Sequence, residues 1–253
     1  MSCTAAQVME LVNGIAPFEL AEPWDNVGLL AGRSDAEVRR VLCALDLRMA
    51  VIEEAVKKDC QLIVTHHPIL FRGRKNLCED DGEGRLLCAL VRSGIAMIAA
   101  HTNFDNAVPG VNDALAETLG LTDARVLDGG MRIGSTKQTD FGMFCERAAQ
   151  SLGGPTRFYG DRARKIERVA VLGGAGEDYV GIAIEAGADV YLTGEIAYHK
   201  ALDAVDNGLC VIEAGHAATE NPAISLLSRG LQKAADAVQY DLSVLQSEAD
   251  LFF

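Results

Sequence analysis

The chain has 253 residues, 49% hydrophobic and 23% charged. These ordinary globular values set aside disordered and fibrous classes, and the length gives one large domain or two small ones. The 23 Lys and Arg against 36 Asp and Glu leave a formal charge of −13, which argues against a broad nucleic-acid-binding face, since neutralising phosphates takes clustered cations. No apolar run approaches the roughly 18 residues of a membrane helix. The first cation is Arg33, so neither a positively charged signal region nor an Arg-rich transit helix is read. The cysteines are seven, an odd number without a Cys-x-x-Cys pair, and several lie in apolar runs such as VLCALDL and GLCVIEAG. They read as small buried hydrophobes in a reducing compartment, the cytoplasm.

After Thr4, a candidate N-cap, apolar residues at Val8, Leu11, Val12 and Ile15 keep helical spacing up to Pro17. A loop-like segment, 17–32, carries the only Trp. VRRVLCALD (38–46) reads as a buried strand, 49–60 as a helix, and QLIVTHHP (61–68) as a short strand stopped by Pro68. A charged, glycine-containing loop runs from Arg72 to Arg85. A helix (86–94), a strand running into a polar turn (95–105) and a helix ending near Gly120 follow. Thr122–Asp140 is polar and reads as a junction. Beyond it strands at 167–176, 188–195 and 209–216 alternate with helices at 178–187 and 198–208. A last helix covers about Glu220 to Ala235 by the same periodicity, with Thr219 as its cap, and a final strand lies within 238–246. Strand–helix alternation predicts an α/β fold with mostly parallel central strands, in two halves. The first domain is placed at 1–123 with 214–253, the second at 124–213.

The histidines are five: His66, His67, His101, His199 and His216. All but His199 sit at or just after the C-terminal end of a predicted strand, and His199 lies one helical turn beyond another, after Glu195. Ligands of open α/β sheets bind beyond those strand ends. Adjacent side chains of a regular strand face opposite ways, but Pro68 cannot join a sheet ladder, so the chain breaks and both His66 and His67 can turn to one centre. Asp105, in the turn after His101, is read as a hard oxygen ligand, with His101 behind the ligands or facing substrate. Glu220 has a complete structural explanation as a first-turn acid; His216 four residues earlier supports a shared ion instead. Three imidazoles and two carboxylates exceed one metal with an open position and suit two metals sharing a carboxylate. The mixed donors favour Zn, Mn, Fe, Co or Ni. Glu195 and His199 are read as neighbours on one helical face. The turn Gly173-Gly174-Ala175-Gly176 is either an anion-holding loop or a close-packed turn.

EPWDNVGLLAG (22–32), IVTHHPILFRG (63–73), AAHTNFDNAVPGVND (99–113), ADVYLTGEIAYH (188–199) and EAGHAATENPAISLL (213–227) together resemble the YbgI-like family of dinuclear-metal proteins, often named GTP cyclohydrolase 1 type 2 homologues. The resemblance implies two interlocked α/β domains with a metal site between them, and toroidal homohexamers. Some relatives carry an extra central domain, for which this chain has no room. The resemblance places His67 and Asp105 on one metal, His66 and His216 on the other, and Glu220 between them. The reaction expected is a metal-dependent hydrolysis of a small-molecule substrate such as a purine nucleotide, opening the guanine ring of GTP at C8. Glu195, His101 or His199 then carry protons. The alternatives are a ring-shaped metal-binding protein without catalysis and, with only Arg72, Arg74 and Lys75 as nearby cations, a two-metal phosphoesterase.

Overall fold

The computed structural model describes residues 1–154 and 156–249. From the N-terminus come β1 (Cys3–Thr4), α1 (Ala5–Ile15), β2 (Gly28–Ala31), β3 (Glu37–Val38), β4 (Arg40–Ala44), α2 (Met49–Lys57) and β5 (Leu62–Thr65). Next are α3 (Gly82–Ser93), β6 (Ala96–Ala99), α4 (Thr102–Asp105), α5 (Val111–Thr118), β7 (Thr122–Val126), β8 (Arg132–Asp140), α6 (Phe141–Leu152) and β9 (Arg157–Tyr159). The remainder are β10 (Lys165–Ala175), α7 (Val180–Glu185), β11 (Val190–Glu195), α8 (Tyr198–Asp206), β12 (Cys210–Glu213), α9 (His216–Ala237) and β13 (Ser243–Gln246). Two compact units result: 1–107 with the described residues from 224 onward, and Val108–Ala223. The fold is α/β.

The first unit holds a five-stranded sheet in the order β13-β4-β5-β6-β2, parallel except for the edge strand β2. A parallel sheet is covered on both faces and its strands are continuously apolar; β5, Leu-Ile-Val-Thr, is accordingly buried at every position. Val51, Ile52 and Ala55 of α2 and Leu90 of α3 pack on Leu42, Ile63 and Met97 of the sheet. Thr4 caps α1 as the sequence predicts, its hydroxyl accepting from the Gln7 amide at 3.3 Å while Gln7 returns a bond to Thr4.

The second unit holds a six-stranded sheet, β7-β8-β10-β11-β12-β9. Its middle, β10-β11-β12, is parallel, and antiparallel strands flank it on both sides. Leu115 and Leu119, of α5 and its C-terminal end, and Phe141 and Phe144 of α6 pack against Val169, Val171, Val190 and Leu192.

Three local expectations are corrected. The polar segment Thr122–Asp140 is not a junction but two antiparallel strands, β7 and β8. Its polarity misleads because Arg132 is buried in an ion pair, donating to both Asp113 oxygens at 2.8 and 2.6 Å; a paired, hydrogen-bonded charge is tolerated inside. Part of the segment read as loop, Gly28–Ala31, pairs with β6. Finally, α9 begins at His216 rather than Glu220, and the Thr219 hydroxyl donates back to the Gly215 and His216 carbonyls instead of capping. Pro222 consequently lies inside the helix.

Cys3, Cys43, Cys60, Cys145 and Cys210 are buried, Cys88 is partly so and Cys78 is exposed. Burial pushes the Cys43 and Cys145 thiols up to about 12, so they pack as apolar groups. Among the described residues no helix is long and apolar enough to cross a membrane.

One carboxylate ties the first unit's C-terminal segment to α2. Glu54 accepts from Lys58 Nζ at 2.6 Å, from the Ser247 hydroxyl at 2.5 Å and from the Glu248 and Ala249 amides at 3.2 Å. Burial alone would raise its carboxyl, but the bonds from Lys58, Ser247 and the two amides together hold it below the usual range. The stabilisation is thus complete above the unfolded value, about 4.3, and is lost as pH falls through the lower folded value. Glu54→Ala is expected to cost about 2 kcal/mol at neutral pH and to flatten the acid limb of stability against pH, read by urea unfolding from pH 7 to 3.

Candidate metal centre

The first unit concentrates imidazoles at the exits of β5 and β6. His66 and His67 follow β5 directly, and the Thr65 hydroxyl donates to the His67 carbonyl at 2.7 Å. The two rings end 4.9 Å apart, centroid to centroid, and His101 lies 5.1 Å from His66 and 5.6 Å from His67. A ring nitrogen from each of the three falls within 4.8 Å of the others. Asp105, at the end of the four-residue α4 rather than in an open turn, brings Oδ1 to 3.6 Å from His66 Nε2.

Each ring is held from behind. His66 Nδ1 donates to the Ala100 carbonyl at 2.8 Å, His67 Nδ1 to Asp46 at 2.8 Å and His101 Nδ1 to Asp25 at 2.9 Å. A carbonyl or carboxylate can only accept, so Nδ1 bears the proton and the neutral ring's lone pair sits on Nε2. Metal-binding histidines carry this backing, which fixes both tautomer and ring orientation. Sequence reasoning missed Asp46 and Asp25. Asp46 lies two residues past β4, at the same end of the sheet as the histidines, which was the available signal; for Asp25, 76 residues from His101, the signal was its place in the EPWDNVGLLAG motif.

Asp25 has a fully buried side chain. Burial raises its carboxyl, but bonds from the Thr102 hydroxyl at 2.5 Å, from His101 and from the Thr102 amide at 3.0 Å bring it below the ordinary aspartate value. It is an ionised acceptor at neutral pH.

The second unit presents a smaller donor set. His216 and Glu220 lie one turn apart on α9, with Nε2 and Oε1 at 3.2 Å, so they share a helix face instead of facing each other across a loop. Glu220 is buried. Glu195 ends β11, not a helix, and its exposed carboxylate lies 3.5 Å from His216 Nδ1. His199 is exposed on α8 and belongs to neither donor set.

The glycine-containing end of β10 seats Glu220. A Cβ on Gly174, at φ +69°, would overlap Glu220 Oε1 and stand 3.2 Å from His216 Nε2; one on Gly173 would meet Glu220 Cγ at 3.2 Å. Gly176 is closed in by Tyr191 and Thr193, and the Gly173 and Gly174 amides are taken by Asn112 Oδ1 and the Thr219 hydroxyl. The turn is close-packed, and those two amides are committed to the protein.

Imidazole nitrogens with carboxylate oxygens form a donor set suited to Zn, Mn, Fe, Co or Ni, and the first unit's histidine cluster could hold such an ion. Fold and donors define an α/β protein with metal-type donor clusters at its strand ends. The match to the Duf34/NIF3 (NGG1p interacting factor 3) family runs over residues 3–250, and the chain belongs to that family. A Clostridium acetobutylicum relative named GTP cyclohydrolase 1 type 2 homolog is 32% identical over 262 residues, 99% of this chain and 98% of the relative. A solved Staphylococcus aureus hypothetical protein superposes with a TM-score of 0.94 at 30% identity, over 98% of this chain and 97% of its own. The solved protein ybgI, of unknown function, shares the fold with a TM-score of 0.86 at 23% identity, over 97% and 98% of the two chains. The YbgI-like resemblance read from the motifs is thereby confirmed.

Gly174→Ala tests the seat of Glu220. The fold is expected to persist while affinity for added Zn falls roughly 10- to 100-fold, the usual cost of disturbing a group that supports a ligand, as read by competition with a chromogenic chelator.

Proposed function

We propose that His66, His67, Asp105, His216 and Glu220 together hold two divalent transition-metal ions, and that the protein uses them to hydrolyse a nitrogen-heterocyclic metabolite, with GTP the first candidate. The observation that carries this reading is the pair His66 and His67 at the exit of β5, each with Nδ1 tied to an acceptor and a ring nitrogen within 4.8 Å of the other's. When bound, such a pair supplies Lewis acidity and makes water nucleophilic near neutral pH.

The chain's own residues do the rest. Asp46 and the Ala100 carbonyl hold His67 and His66 in register, and Asp105 and Glu220 add carboxylates to the imidazole set. Addition of water at C8 of a guanine ring, with cleavage of a C8–N bond, gives a formamide and a freed amine. Both protons of the water must be moved, one to each nitrogen of the opened ring, and the water oxygen ends as the formyl carbonyl. Glu195 is the first choice to move them, being a solvent-reaching carboxylate beside His216, with His101 and His199 the other candidates. The family's hexameric ring and a cytoplasmic location belong to the same proposal.

The −13 charge favours a second reading, a metal-organised binding protein without catalysis. The phosphoesterase reading loses support, because Arg74 is engaged by Asp81 at 2.7 Å and by Glu83, in the first turn of α3, at 2.9 Å.

Elemental analysis of untagged protein prepared without chelator is expected to give about two transition-metal equivalents per chain, sharply reduced in Glu220→Ala. Glu195→Gln should keep the metal and lose about 10²-fold or more in GTP turnover. Protein that refuses added Zn, Mn and Fe sinks the reading, and metal-loaded protein without turnover of GTP or any cyclic amide favours the binding protein.

A further inference from the structure

One feature of the first unit is not used by the donor chemistry. Glu22-Pro23-Trp24-Asp25 forms a turn closed by the Asp25 amide to the Glu22 carbonyl at 2.9 Å, with proline at the second position, where its fixed φ is favoured, and Trp24 at the third. The turn is pinned on several sides. The Glu22 amide donates to the Thr102 hydroxyl at 2.9 Å, Asp25 binds Thr102 and His101, and Asn26 Nδ2 donates to the Leu70 carbonyl at 2.6 Å. Yet the largest apolar side chain of this fixed turn is 59% exposed, and Phe71, one residue from the Leu70 anchor, is 44% exposed.

These two rings stand edge to face 5.8 Å apart, and His101 is edge-on to both, at 6.4 Å from Trp24 and 6.1 Å from Phe71. His101 is also the ring next to His66 and His67. The aromatic pair therefore continues the histidine cluster without a break. A core aromatic left outside by accident would sit on a compliant loop; this one is displayed by a turn held by hydrogen bonds on several sides, so little ordering remains to be done on binding.

We infer that Trp24, Phe71 and His101 form a stacking subsite that takes the planar heteroaromatic ring of a small molecule beside the histidine cluster. The inference rests on reading that cluster as a catalytic centre. Ring faces and edges attract another π system in offset or edge-on geometry, and base–aromatic stacking tolerates any planar ring. Two exposed side chains are far short of the roughly 800 Å² per partner that a stable protein interface needs, which argues for a small occupant over a second copy of the chain.

Trp24 is the only tryptophan, so its emission reports on this turn alone. Guanosine and GTP, titrated into the full-length protein, are expected to quench it saturably, whereas ribose 5-phosphate and tripolyphosphate leave it unchanged. By calorimetry, Trp24→Ala and Phe71→Ala should each weaken GTP binding about tenfold or more, with Trp24→Tyr restoring most of the loss, at unchanged metal content and thermal midpoint. Equal quenching by ribose 5-phosphate, or Trp24→Ala binding GTP as the wild type does, overturns the subsite. So does a fall in molecular mass by light scattering in Trp24→Ala, which assigns the patch to a second copy. Failure of the metal reading is separate: it shows as wild-type protein without metal, in which ring-selective quenching would still establish the subsite.

Discussion

An imidazole at a strand end can rotate about two side-chain torsions, and three of them near one point stay in useful orientation only if something opposes that freedom. Here the opposition comes from the Nδ1 bonds to the Ala100 carbonyl, Asp46 and Asp25. Parallel strands deliver two of the acceptors: β4, β5 and β6 run side by side, so Asp46 and Ala100, which follow β4 and β6, emerge at one edge and can bond across strand exits. The buried sheet is the precondition, since β5 and β6 are apolar at the positions that precede the histidines. Asp25 extends the constraint outward. Its carboxylate binds His101 with one oxygen and Thr102 with the other, so the group that orients an imidazole also fixes the turn carrying Trp24. Ring orientation and aromatic display share one anchor.

The second unit reaches a similar end by different means. Its donors are ordered by a helix and by contact with backbone, not by bonds across strand exits. His216 and Glu220 are one turn apart on α9, and the Gly173-Gly174 corner lies so near that only hydrogen at Cα leaves space for the carboxylate. Thr219 contributes twice, its hydroxyl donating to the preceding carbonyls and accepting from the Gly174 amide. This hydroxyl stitches the glycine turn to the helix carrying both donors.

Much of this was legible because strand ends punctuate the sequence. Apolar β-branched runs that stop abruptly at His66, near His101 and near His216 mark both the sheet and where its polar groups emerge. What stayed hidden was long-range or self-cancelling. Asp25 and His101 are 76 residues apart, and no local pattern connects them. Arg132 and Asp113 cancel each other's charge inside the second unit, so a stretch that forms two strands scored as a polar junction. The start of α9 was misplaced because Thr219 and Pro222 imitate a first turn. The sequence pattern of a cap does not reveal whether the hydroxyl accepts from the helix or donates back to it. The glycine turn was ambiguous for a related reason: glycine marks close approach without saying to what, and only the position of Glu220 settles it.

The three candidate proton carriers are not equivalent in their surroundings. His101 has Nδ1 committed to a buried, ionised Asp25, so it can exchange a proton only through Nε2. His199 is exposed on α8, outside both donor sets. Glu195 alone of the three combines proximity to a donor, 3.5 Å from His216 Nδ1, with a side chain open to solvent, whereas His101 is the ring that joins the histidine cluster to Trp24 and Phe71.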